Sequence, residues 1–253
     1  MSSPLAGRVI LVTRPAHQSA ALAEGIRDAG GEALLFPALE IVAVDPQALA
    51  PLLNRLAEYD LAIFISPNAA QFGVAAIRAV AAVPDALEVF AVGPGTARVL
   101  GKMGLSRVTT PPGQDSEALL ALPQLDQVAG RRILIFRGVG GRPLLADTLR
   151  ARGATVDYVE CYRRQCPETD AGPLRQRWAE VSAVTIASAE TLHNLATLLG
   201  EAGTTLLRAT PLFVPHAKIA EAARAFGMEQ VIVTAGGDAG LLQGLINWFR
   251  EHP

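Results

Sequence analysis

Cysteine, charge, histidine and long apolar runs are all scarce in this chain of 253 residues, and each scarcity excludes something. Its two cysteines, Cys161 and Cys166, have no C-x-x-C or zinc-ligand spacing. That excludes a disulfide framework and points to a reducing compartment. Only 18% of the residues are charged and the formal net charge is −2. Nucleic-acid binding through bulk positive charge is thereby excluded, and so is a disordered chain. The four histidines, His17, His193, His216 and His252, fall at no metal-ligand spacing, so they read as surface or capping residues and no metal is expected. No apolar run approaches the ~20 residues that span a bilayer. The opening MSSPLAGRVILVTRP lacks the basic-then-apolar order of a signal peptide. A cytoplasmic protein with no membrane or nucleic-acid partner is expected.

Complete nucleotide motifs are missing too. A dinucleotide fingerprint needs G-x-G-x-x-G. Gly138-Val139-Gly140-Gly141-Arg142-Pro143 has proline where the third glycine belongs, and Gly93-Pro94-Gly95-Thr96-Ala97-Arg98 has arginine there. Neither stretch carries the lysine and hydroxyl of a P-loop. Asp147, Asp157 and Glu160 form no evident acid/base pair, and no nucleophile-base arrangement stands out. No cofactor is expected.

What the chain has in abundance is short apolar runs alternating with helical patterns, within a composition that is 50% hydrophobic. Candidate strands are residues 9–13, 32–37, 61–66, 88–92, 107–110, 132–137, 155–162, 183–188, 211–215 and 230–234. Alanine- and leucine-rich stretches of three-to-four spacing separate them. Continuously apolar strands suit parallel sheets covered on both faces, and the alternation predicts an α/β fold.

The chain also repeats itself at an offset of 123. Gly7-Arg8-Val9-Ile10-Leu11 meets Gly130-Arg131-Arg132-Ile133-Leu134, Arg14 meets Arg137, and Gly30 meets Gly153. Further along, Phe90 meets Phe213, Gly104 meets Gly227, and Asp115 meets Asp238. A constant offset at both ends of the repeat indicates duplication, hence two similar α/β domains. Two proline-bounded extended segments, residues 37–46 and 160–167, occupy equivalent places and are candidate crossings between domains.

Several strands end in a turn that opens a helix, where unpaired N–H groups and the positive dipole end receive anions. These turns carry Arg14, Ser66 with Asn68, Gly93 with Thr96, Arg137 with Gly138, Ser188 with Glu190, and Lys218. Arg14 and Arg137 read equally as carboxylate clamps or as partners of local acids. Tyr162, in the second crossing segment, reads as an ordinary strand tyrosine or as a proton donor to a leaving group.

VTRP near the start, FISPNAA (64–70), VGPGTARVL (92–100), ILIFRGVGGRPLLADTLRARGA (133–154), CYRR (161–164), IASAETLHNL (186–195) and VPHAKIAEAARAFG (214–227) run nearly the full length. Together, in this order, they resemble the uroporphyrinogen-III synthase family. The resemblance implies two flavodoxin-like parallel-sheet domains joined by a two-stranded linker. Domain 1 is discontinuous, residues 1–37 plus 167–253; domain 2 is 45–158; the linker strands are 38–44 and 159–166. It implies a hydro-lyase that cyclises hydroxymethylbilane, a linear polycarboxylate tetrapyrrole, with loss of water and inversion of ring D. Tyr162 matches the family's tyrosine that assists departure of the hydroxyl, and Ser66, Thr96 and Ser188 match polar positions lining the cleft. Relatives often carry Thr-Ser where this chain has Ile65-Ser66, so the weight falls on Ser66 and Asn68. A monomer is the family expectation, with transient contact to hydroxymethylbilane synthase as a further partner. The rival readings are a two-domain small-molecule-binding protein and a nucleotide-dependent transferase; missing leader features count against the first, and the broken glycine motifs against the second.

Overall fold

A computed structural model describes residues 3–252; the expected domain bounds at 1–2 and 253 lie outside the described residues. The chain divides into two compact units. One runs through Glu40 and resumes at Gln165; the other is Ile41–Arg164.

The first unit holds β1 (Val9–Val12), α1 (Ala20–Asp28) and β2 (Glu32–Leu35). The second holds, besides β3 (Glu40–Ala43) at its border, α2 (Pro46–Leu53), β4 (Leu61–Phe64), α3 (Pro67–Val80), β5 (Glu88–Ala91) and α4 (Pro94–Lys102). It continues through β6 (Val108–Thr109), α5 (Ser116–Leu120), α6 (Pro123–Asp126), β7 (Arg132–Gly138), α7 (Leu144–Ala151) and β8 (Thr155–Gln165). Back in the first unit come α8 (Gly172–Gln176), β9 (Val181–Thr185), α9 (Ala189–Ala209), β10 (Leu212–Val214), α10 (Ala217–Ala225), β11 (Val231–Val233) and α11 (Gly237–Glu251).

Each unit is a sheet with helices on both faces, the α/β class expected from the apolar strands. The first sheet has the order β11-β10-β9-β1-β2, and each of its neighbouring strands pairs in parallel. Numbered within the unit, that is the 2-1-3-4-5 order of flavodoxin-like folds. The second sheet has the order β3-β8-β7-β4-β5-β6. Setting β7 against β1, β8 against β2 and β4-β5-β6 against β9-β10-β11 makes the two orders identical, with β3 added at the edge. The duplication is therefore interleaved along the chain.

The repeat is physical down to the backbone. Gly7 and Gly130 share positive φ values of 72° and 77°, Gly30 and Gly153 share 85° and 88°, and Gly104 and Gly227 share 82° and 96°. These are the left-handed turns that end a helix or enter a strand, a conformation that disfavours a Cβ. Gly31 N donates to the Ile26 carbonyl at 3.0 Å, and its counterpart Ala154 N donates to Leu149 at 3.1 Å.

Both faces of each sheet are filled. In the second unit Leu134, Phe136, Val159 and Cys161 pack on one face with Phe64 and Val74, while Ile133, Ile135 and Val156 pack on the other with Leu145 and Leu149. Phe64 and Phe136 stack at 4.4 Å between centroids. The stretch expected as a connection at 159–166 is partly drawn into the sheet, since β8 pairs with β7 as far as Tyr162, in unbroken register up to Glu160. Among the described residues no helix is long and apolar enough to cross a membrane.

Candidate functional site

Ligands of open parallel sheets bind beyond the carboxyl ends of the strands. In the second unit that end is formed by β4, β7 and β8. Alternation along β7 puts Phe136 and Gly138 toward α3, and Ile135 and Arg137 toward α7. Along β8 the same alternation would send Tyr162 to the α7 side. A register shift between Arg137 and Gly138 pairs Gly138 with Tyr162 instead of Cys161. Such an irregularity re-aims a side chain. Tyr162 thus lies on the α3 side, packed with Cys161 and Val159 and only 4% exposed.

The phenol reaches Ser66. Their oxygens are 3.2 Å apart, and either can donate. Ser66 also caps α3 by accepting from Ala69 N at 3.0 Å, with Pro67 at the first helical position. Gly138 lies directly beneath the ring: a Cβ there would stand 2.7 Å from Cε2 and Cζ of Tyr162. Phe72 flanks the ring at 5.8 Å between centroids. Cys161, next along the strand, donates its thiol hydrogen to the Arg137 carbonyl at 3.4 Å, and burial pushes its pKa up to about 12. A thiol so held is no nucleophile.

Tyr162 lines a cavity of about 160 Å³ with Ile65, Arg137, the loop Gly138–Gly141, Arg142 and Arg164. Arg137 is 95% buried, being 5% exposed. Its Nε donates to the Gly138 carbonyl at 3.2 Å, and its guanidinium lies 4.6 Å above the Tyr158 ring. Glu160 accepts from Gly140 N at 3.2 Å, which ties the loop to β8. A larger cavity of about 330 Å³ involves Leu87, Val89 and Ser106. It sits where β5 begins and β6 is about to begin, the end opposite the carboxyl termini.

Beside this cluster, Gly93 caps α4 in extended conformation and Thr96 is buried in that helix's first turn. Asn68 lies in the first turn of α3. The remaining candidates belong to the first unit. Ser188 caps α9, accepting from Thr191 N at 3.1 Å, with Glu190 in the first turn. Lys218 is exposed in the first turn of α10. Arg14 forms an ion pair with Asp238 of α11. Sequence reasoning passed over Tyr158, Arg142, Arg164 and the Asp238 partner. The repeat offers a signal for the first, because Tyr158 stands where the other copy has Leu35.

Parallel α/β units with helix N-termini and arginines at their strand ends present donors suited to small anionic molecules. The family described as uroporphyrinogen-III synthase HemD matches residues 20–240. The uroporphyrinogen-III synthase of Salmonella typhimurium is 37% identical over 236 residues, covering 90% of this chain and 96% of its own. That of Escherichia coli K12 is 36% identical over 239 residues, with the same coverage. A Thermus thermophilus uroporphyrinogen III synthase superposes with a TM-score of 0.65 at 19% identity over 97% of this chain and 100% of that one, which speaks to the fold. The chain belongs to the uroporphyrinogen-III synthase family. Its activity is that of a lyase of porphyrin biosynthesis acting on a small molecule.

Proposed function

We propose that the substrate is hydroxymethylbilane, and that the second unit's cluster around Tyr162 handles its departing hydroxyl. The observation that carries this reading is the Ser66–Tyr162 contact at 3.2 Å over Gly138. The terminal pyrrole nitrogen pushes its electron pair toward the hydroxymethyl carbon, the C–O bond breaks, and the Tyr162 phenol gives its proton to the leaving oxygen, which departs as water. Ser66 orients the phenol, and as a hydroxyl it both donates and accepts. The resulting azafulvene cation is attacked by the substituted α-carbon of ring D, giving a spiro-pyrrolenine. The old bridge bond to ring D then breaks and re-forms at the other α-carbon. Loss of that carbon's proton restores the aromatic ring and reprotonates the phenolate. The net change is loss of one water.

Most of the catalytic demand is geometric. Without control the chain ends close on the unsubstituted carbon, so holding them otherwise is a matter of orientation. The turns carrying Ser66, Asn68, Gly93, Thr96, Arg137 and Gly138 in the second unit, and Ser188, Glu190 and Lys218 in the first, supply donors and polar groups for the substrate's carboxylates and pyrrole N–H groups. Segments 38–44 and 159–166 carry the chain between the units. We place the protein in the cytoplasm as a monomer that receives its substrate from hydroxymethylbilane synthase.

The test is a coupled assay: generate hydroxymethylbilane in place from porphobilinogen and its deaminase, add this protein, oxidise, and separate the uroporphyrin isomers. Isomer III in place of isomer I is expected. Isomer I alone, from protein shown to be folded, overturns the reading.

A further inference from the structure

The two copies of the duplicated unit treat the same arginine in opposite ways. In the first copy Arg14 is paired with the Asp238 carboxylate. At the repeat offset these residues correspond to Arg137 and Asp115 in the second copy. There Asp115 is turned away to cap α5, accepting from Ala118 N at 2.7 Å. Among the described residues no carboxylate lies within 4 Å of Arg137, although the residue is 95% buried, being 5% exposed. Its Nε has a partner in the Gly138 carbonyl; among the described residues its terminal nitrogens make no hydrogen bond, and they are not sealed from the cavity they line.

A buried guanidinium without an anion is costly unless something delivers one. The surroundings are built to hold it ready. Tyr158 supports one face at 4.6 Å. Gly141 leaves it room, since a Cβ at that glycine would lie 2.5 Å from Nη2, and its φ of +94° suits glycine besides. Arg142 lines the same cavity of about 160 Å³, pairing with exposed Glu117 at 3.6 Å. In the first copy the places of Gly138, Gly140, Gly141 and Tyr158 are held by Pro15, His17, Gln18 and Leu35, so none of this support exists there.

We propose that Arg137 is a clamp for one carboxylate arm of the substrate, and that Asp238 supplies to Arg14, within the chain, the anion that Arg137 takes from the ligand. The cavity is the size of an acetate or propionate arm, not of a tetrapyrrole. This inference rests on the reading given under Proposed function and narrows it to one side chain with bidentate geometry.

The test is calorimetric titration with uroporphyrin III, the oxidised product, beside the coupled assay. Arg137→Gln should raise Kd for uroporphyrin III, and KM, on the order of tenfold to a hundredfold with a smaller change in kcat. Arg137→Lys, which keeps the charge without the fork, should fall between and serves as the reporter if the glutamine variant does not fold. Arg14→Gln should change Kd at least threefold less than Arg137→Gln but lower Tm, and adding Asp238→Asn should recover the loss. Equal effects at both arginines, or wild-type Kd in folded Arg137 variants, overturn the inference. Wild-type protein yielding only isomer I overturns the functional reading instead, and the titration still judges the clamp.

Discussion

Gly138→Ala puts the smallest possible group beneath the Tyr162 ring, and the structure says what must follow. The new Cβ would stand 2.7 Å from two ring carbons and 3.1 Å from the phenol oxygen. Carbon atoms rest at ~3.5 Å, so the ring must retreat by roughly 0.8 Å. It is 4% exposed and flanked by Phe72, so little free space receives it. Overpacking of this kind costs about 1–3 kcal/mol, a fall in Tm of about 2–4 °C per kcal/mol for a chain this long. The Ser66–Tyr162 contact is already 3.2 Å and cannot lengthen by that amount and survive. A displacement near 1 Å costs on the order of 10²-fold in rate. The isomer assay with melting curves measures both. Gly93→Ala is the control for stability: the nearest atoms its Cβ would meet are those of Gln114, at 3.5 Å, an ordinary contact, and its φ of −171° is ordinary extended backbone. Its Tm should stay within about 1 °C. If Gly138→Ala turns over at the wild-type rate, Tyr162 is not where the chemistry is held.

Tyr162→Phe keeps the ring, so Tm should barely move while kcat falls by about 10²-fold or more; undiminished kcat removes the phenol from the mechanism. Among the described residues the buried Tyr158 hydroxyl has no hydrogen-bond partner, so Tyr158→Phe should raise stability by about 1 kcal/mol, read from denaturant midpoints; a loss would mean the hydroxyl has a partner. The Cys161 thiol, pushed by burial up to about 12 from 9.0, makes the folded state hold a proton that the unfolded chain releases. Its stabilising contribution is therefore complete below pH 9 and is lost as pH rises toward 12, at up to about 1.4 kcal/mol per unit; urea midpoints for wild type and Cys161→Ala should converge in that window. Ser188→Ala removes the α9 cap and should cost about 1 kcal/mol, again by denaturant melts.

The fold was legible because its signals are local. Apolar runs such as LAIF at 61–64 have all four residues buried, as strands covered on both faces require. The repeat was legible because left-handed turns demand glycine, so Gly30 and Gly153 sit at one offset for one steric reason. The strand β3 at 40–43 was harder. Its ends are exposed and its middle half-buried, a pattern shared with any extended segment. The helices α5, α6 and α8 have at most five residues each, too few to display a period.

The site was legible in its residue types and hidden in its directions. Sequence alternation assigns Tyr162 to the face of Tyr158 and Glu160; the register shift after Arg137 reverses that. A shift of one residue leaves no compositional trace, yet it moves the phenol from the α7 side to Ser66 and the end of α3. The repeat misleads in the same way. It sets Arg14 equal to Arg137 and Asp238 equal to Asp115, and each copy does contain both partners. What separates them is where the acid sits on its helix. Asp115 precedes the first residue of α5 and caps it, whereas Asp238 is already the second residue of α11, whose cap is Gly236. With no cap to make, the Asp238 carboxylate is available to Arg14; with one to make, that of Asp115 is spent on the Ala118 amide. A displacement of two helical positions thus closes one arginine and leaves the other open. On this argument Asp115→Asn, which still caps, should leave the Arg137 cavity and its affinity for uroporphyrin III as they are. Moving the acid into the helix with Asp115→Gly/Glu117→Asp should cost stability from the lost cap, about 1 kcal/mol, without restoring a pair, because that residue already faces Arg142.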